Sequence, residues 1–106
     1  MNINNIQKQL SDFADERNWD QFHNPKNLAM ALSVEASELL EIFQWLTPEQ
    51  AEAIMSSSES DHVKEEMADI MIYLIRMADK LNVDLENAVT DKIVKNGKRY
   101  PVSLSK

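Results

Sequence analysis

An all-α fold is what this chain predicts, and three observations carry the prediction. There is one Gly and there are three Pro in 106 residues, too few for the turns of a sheet protein. Apolar residues recur at intervals of three and four through most of its length. The polar residues that interrupt them are those that start and stop helices.

The elements follow in order. Ile6, Leu10, Phe13 and Ala14 are spaced for an amphipathic helix over roughly Ile3 to Arg17. A polar and aromatic loop, Asn18 to His23, comes next. Asn24 then supplies a cap and Pro25 a first helical position, opening a second helix to about Trp45 whose core stripe is Leu28, Ala29, Leu32, Ala36, Leu39, Leu40 and Phe43. Thr47, Pro48 and Gln50 stand at the cap, first and third positions of a short helix ending near Met55. Ser56 to Asp61 reads as a polar linker, and a long helix from His62 to Leu81 stops at Asn82. Asp84 caps a last helix to about Asn96, ended by Gly97, and Tyr100-Pro101 begins a non-helical tail.

The long helix carries Met67, Ile70, Met71, Ile72, Leu74, Ile75 and Met77, apolar nearly all round, so it should be buried on more than one side. A chain of this length supplies little cover, and a second copy, in at least a dimer, is the expected source. Residues 1–106 read as one domain, a four- to five-helix bundle completed by oligomerisation, with a basic tail at 98–106.

Composition narrows the functional classes. With no Cys there is neither a disulfide framework nor a thiolate metal site, which suits a reducing cytoplasm. No apolar run nears the ~20 residues of a membrane span, and the N-terminus lacks a signal-peptide pattern. The net charge of −7 argues against a nucleic-acid polymer as partner. Five of the eleven basic residues, Lys92, Lys95, Lys98, Arg99 and Lys106, follow Asp91. They read either as a dipole-favoured helix end or as a segment that closes over an anion.

The chemistry-bearing residues are two acidic pairs, Glu35/Glu38 and Glu66/Asp69, one on each of two helices. Spacing of i, i+3 sets both carboxylates of a pair on one helix face, about 60° apart. Four carboxylates on facing helices repel unless a divalent cation lies between them, and all-oxygen ligands favour Mg²⁺, with Mn²⁺ as a substitute. Asp69, between Ala68 and Ile70 in the most apolar helix, is the residue whose burial most needs such a partner. Magnesium held by carboxylates commonly has its coordination completed by a phosphate-bearing substrate, so the pattern points to metal-dependent chemistry on a nucleotide. Trp45 and Tyr73 each stand seven residues after an acid of a pair, near the same face and about 10 Å along the axis. A flat aromatic there could stack on a base or simply belong to the core.

Competing chemistries lack their residues. There is no Glu-x-x-His for a carboxylate di-iron bundle, no Gly-x-Ser-x-Gly turn, and one Gly rules out a Walker-type loop.

The run Trp19 to Leu28 (WDQFHNPKNL), then Glu35-x-x-Glu38 leading to Phe43-Gln44-Trp45, resembles the MazG-like nucleotide pyrophosphohydrolases, especially the small dCTP-pyrophosphatase-type branch. Glu65-Glu66-x-x-Asp69-x-x-x-Tyr73 and the closing Lys98-Arg99-Tyr100-Pro101 fit the same pattern. The resemblance implies an all-α NTP pyrophosphatase fold assembled as a dimer or dimer of dimers. It also implies hydrolysis of a nucleoside triphosphate between the α- and β-phosphates, in the service of nucleotide-pool cleansing. By the same analogy Glu35, Glu38, Glu66 and Asp69 are metal ligands and catalytic groups. Trp19, His23, Trp45 and Tyr73 would form the nucleoside pocket, while Lys92, Asn96 and Arg99 would approach the phosphates. An all-α dUTPase-like hydrolase and a non-enzymatic helical dimerisation module are the competing readings.

Overall fold

A computed structural model describes residues 1–102, and Lys106 with the rest of the tail beyond Val102 lies outside the described residues. Among the described residues the structure is all α, as the composition requires. The five helices are α1 (Ile3–Glu16), α2 (Pro25–Phe43), α3 (Pro48–Glu52), α4 (Ser60–Lys80) and α5 (Leu85–Arg99). None is long and apolar enough to cross a membrane.

Side chains named as helix signals act as such. Asn24 and Asp84 each accept a hydrogen bond from the backbone N–H three residues on, satisfying a first-turn donor, and Asn2, not singled out in the sequence, does the same for α1. Thr47 and Gln50 form a reciprocal capping box, with Thr47 N donating to Gln50 Oε1 at 2.9 Å and Gln50 N to Thr47 Oγ1 at 3.2 Å. α1 and α4 end alike: Asn18 and Asn82 take positive φ, 56° and 55°, which Asn tolerates better than most residues. In both, the next N–H reaches back into the last turn, Trp19 to Ala14 O and Val83 to Ala78 O, each at 2.9 Å.

Five boundaries differ from the sequence reading. α3 stops at Glu52 rather than near Met55, and Ile54–Ser56 winds into a separate 3-10 turn. Asp20–Phe22 winds into a single 3-10 turn within the expected loop. α2 stops at Phe43 rather than Trp45, because Leu46 N tightens onto Phe43 O at 2.9 Å and Pro48 forces Thr47 into extended backbone. α4 starts at Ser60, two residues early, after Ser57 Oγ has taken the Glu59 N–H and organised the linker. Gly97 does not end α5, which runs on to Arg99. Gly97 has ordinary helical backbone, and the stop comes from Pro101, which drives Tyr100 out of the helical region.

α4 is the central helix, packing chiefly on α2 and then on α1. The apolar core is small: Ala14, Leu28, Val63, Ile75 and Ala78. Leu28 and Ile75 are its fully buried large side chains, and truncating either to Ala should cost about 2–5 kcal/mol. α5 stands apart, with Val89, Ile93 and Val94 exposed. The radius of gyration is 17.2 Å, against about 13 Å for a compact domain of ~100 residues.

Candidate metal centre

The packing of α2 on α4 brings two acidic rows face to face. Carboxylate oxygens of Glu35, Glu38 and Glu66 lie within 4.8 Å of one another. Glu66 is buried, and both Glu35 Oε2 and Glu66 Oε2 lack any hydrogen-bond partner. The Glu66 carboxyl beside Glu35, and then burial, push Glu35 above the ordinary carboxylate value, with Glu38 pulling the other way. Such buried oxygens without donors are what a hard divalent cation satisfies, so the residues present fit a metal of the Mg²⁺ type.

Asp69 stands one turn beyond Glu66 and outside that trio. It is half-buried, and its charge helps raise both Glu35 and the Tyr73 hydroxyl. His62 approaches from the other side: its Nε2 is 3.6 Å from Glu66 Oε1 and its Nδ1 3.0 Å from Glu59 Oε2. Hydrogen bonding to Glu59 raises the His62 pKa, which favours the imidazolium beside Glu66.

A cavity of about 260 Å³ adjoins Asp69, bounded by Leu10, Phe13, Trp19, His23, Tyr73 and Arg76 among others. Phe13 and Trp19 pack edge to face, with ring centroids 5.6 Å apart. Trp19 and His23 are tilted at 6.4 Å, and the Arg17 guanidinium lies 3.4 Å over the Phe13 ring. Burial is the main reason the Tyr73 hydroxyl titrates above its usual value, so it stays protonated. The cavity therefore offers flat apolar walls with a carboxylate at one edge, a shape suited to a small planar ring.

Sequence reasoning passed over the group that fixes this wall. Arg76 of α4 is only 4% exposed, and its guanidinium donates in three directions. Nη2 reaches Asp20 Oδ1 at 2.6 Å, Nε reaches His23 Nδ1 at 3.2 Å, and Nη1 reaches Asp79 Oδ2 at 3.4 Å. Lys80 Nζ donates to the same Asp20 oxygen, and these cations hold the Asp20 carboxyl below its ordinary value. A signal was present: Arg76 follows Asp69 by seven residues on the same helix, a second ionisable group on the most apolar stretch.

Within the chain the remaining expected residues stay away from this site. Trp45 lies in the turn after α2 and is 87% exposed. Lys92, Asn96 and Arg99 are exposed on α5, and none of them borders the cavity or the carboxylates. The physical reason is that α5 packs so little on the other helices.

The chain is similar to known proteins in both sequence and fold. The sequence model of the MazG-like family matches residues 30–106. The curated relatives are proteins called dCTP pyrophosphatase 1: that of Bos taurus is 43% identical over 105 residues, and that of Homo sapiens 41%. These alignments cover 98% of this chain and 62% of each relative, so the chain spans about three fifths of their length. The crystal structure of a pyrophosphatase from Archaeoglobus fulgidus superimposes with a TM-score of 0.88 at 36% identity, covering 96% of this chain and 94% of that one. A match over most of the chain, on the same helices that carry the acidic rows, settles the kinship: the chain belongs to the MazG-like family.

Proposed function

We propose that this protein hydrolyses (deoxy)nucleoside triphosphates to the monophosphate and pyrophosphate, with Mg²⁺ as cofactor, Mn²⁺ as a substitute and a preference for dCTP-like substrates. The observation that carries the reading is the pair of partnerless buried oxygens, Glu35 Oε2 and Glu66 Oε2, set beside an aromatic-walled cavity. The names of the similar proteins support both the bond cleaved and the base.

In this mechanism Glu35, Glu38 and Glu66 would hold the cation, and Asp69 would complete the set from the cavity side. A cation held there would supply charge neutralisation on the triphosphate and a lowered pKa for the attacking water. Glu38 orients the attacking water and takes its proton as oxygen bonds to the α-phosphorus and the bond to the bridging oxygen breaks. Pyrophosphate leaves with its charge compensated, so no separate general acid is required. Trp19 and Tyr73 wall in the base and exclude water from that side. Lys92, Asn96 and Arg99 contact the phosphates from a second copy of the chain, since they do not reach the site within one. A homodimer or dimer of dimers is the assembly proposed, which would also cover Val89, Ile93 and Val94. Nucleotide-pool cleansing in the cytoplasm, by the single domain 1–106, is the role this chemistry suits.

Pyrophosphate release from a panel of dNTPs and NTPs, with Mg²⁺ and with EDTA, tests the proposal. Metal-dependent release matched by monophosphate is expected, fastest with dCTP. No release from any nucleotide by folded protein would refute it.

A further inference from the structure

The polar contact at the cavity wall has a definite direction. A guanidinium keeps its protons at any ordinary pH and has no acceptor, so the Arg76 Nε–H can only donate. Its acceptor is His23 Nδ1, at 3.2 Å. A neutral imidazole that accepts at one nitrogen carries its proton on the other. Arg76 is itself held, 4% exposed, by Asp20 at 2.6 Å and Asp79 at 3.4 Å. The ring's other nitrogen, Nε2, has no protein hydrogen-bond partner among the described residues, while His23 borders the cavity with Trp19 and Tyr73.

We propose that Arg76 is a positioning residue for specificity: it locks His23 in the Nε2–H tautomer, so that the cavity presents a hydrogen-bond donor to an acceptor atom of the bound nucleobase. The acceptor class is a ring carbonyl oxygen or an unprotonated ring nitrogen. This rests on the nucleotide reading above, but the lock itself does not. Burial, followed by the charges of Arg76 and Lys80, lowers the His23 pKa against the opposing pull of Asp20, which keeps the ring neutral near pH 7. The arrangement links α4, which carries Glu66 and Asp69, directly to the group that would read the base. A site built to hydrogen-bond its ligand discriminates strongly against one lacking the matching atom, because the donor is then left unpaired.

Ring-nitrogen NMR of the nucleotide-free protein near neutral pH tests the lock. Expected is a single Nε2–H tautomer for His23, with a mixture of tautomers in Arg76→Met. An Nδ1–H tautomer in the parent protein, or an unchanged tautomer in Arg76→Met, overturns the proposal. Addition of dCMP without metal tests the ligand. The His23 Nε2–H proton should move downfield in the parent protein, and dCMP should bind Arg76→Met about tenfold more weakly. A proton that stays put with dCMP bound, or equal binding by the variant, overturns the donor role. Should Arg76→Met fail to fold, the parent spectra still decide, and Asp20→Asn loosens the guanidinium without removing its Nε–H and should broaden the same resonance. None of these readouts needs turnover, so absence of pyrophosphate release would refute the hydrolase reading separately.

Discussion

Glu35 and Glu66 confront each other across the α2–α4 interface, and each keeps one carboxylate oxygen buried without a donor. Such an arrangement sacrifices stability in the metal-free protein for the sake of a ligand site. Glu66→Gln should therefore raise the metal-free melting temperature by a few degrees and abolish the rise caused by Mg²⁺. Thermal melts with and without metal check both halves. A variant still stabilised by Mg²⁺ as fully as the parent would remove Glu66 from the ligand set.

The same contact gives a pH dependence of known sign. Glu35 titrates above its ordinary value in the folded protein, chiefly because of Glu66. Its contribution is thus fully present below the unfolded-state value and is lost as pH rises through the folded-state value. Without metal, Glu35→Gln should flatten the decline in melting temperature as pH rises above the ordinary carboxylate value. Identical slopes for parent and variant would show that Glu35 is not held above its ordinary value.

Asp69 lies between the carboxylate trio and the cavity, where it borders both chemistries. Asp69→Asn keeps the shape and removes the charge, so turnover should fall by about a hundredfold or more while the helical circular dichroism is retained. Normal turnover by a folded variant would mean that three acids suffice.

Gly97 sits inside α5 with nothing within 4 Å of the place a Cβ would occupy. Gly97→Ala should stabilise the protein by roughly 0.5–1 kcal/mol, read from denaturant unfolding. Loss of stability would indicate that α5 is covered there in the assembled protein.

On α5, Ile93 is 64% exposed beside Val89 and Val94. If a second copy covers that face, Ile93→Asp should lower the molecular mass measured by sedimentation, at unchanged helical content. A mass equal to the parent's would move the contact elsewhere.

How far the sequence was legible depends on the range of the interaction. Caps at Asn24, Thr47 and Asp84 are local contests for backbone donors, and each was readable within four residues. Gly97 misled for the same reason: its preference for a helix end is only a propensity, and Pro101, four residues on, decided the boundary. The acidic rows were legible because their spacing matches the helix period. Arg76 was missed since its partners, Asp20 and His23, lie 56 and 53 residues away, and no periodicity encodes such a pairing. Trp45 was read from its spacing as well as from likeness to a family, whereas the phosphate roles of Lys92, Asn96 and Arg99 came from that likeness alone, which carries residue roles but not how the helix bearing them packs.

The span of the Arg76 contacts also orders events during folding. Closing a loop of more than fifty residues gains nothing until α4 has docked, so the Trp19 wall should form after the α2–α4 pair. Substitutions at Asp20 would then quicken unfolding and leave the folding rate nearly untouched. The last part of the molecule to acquire its shape would be the part that chooses what enters.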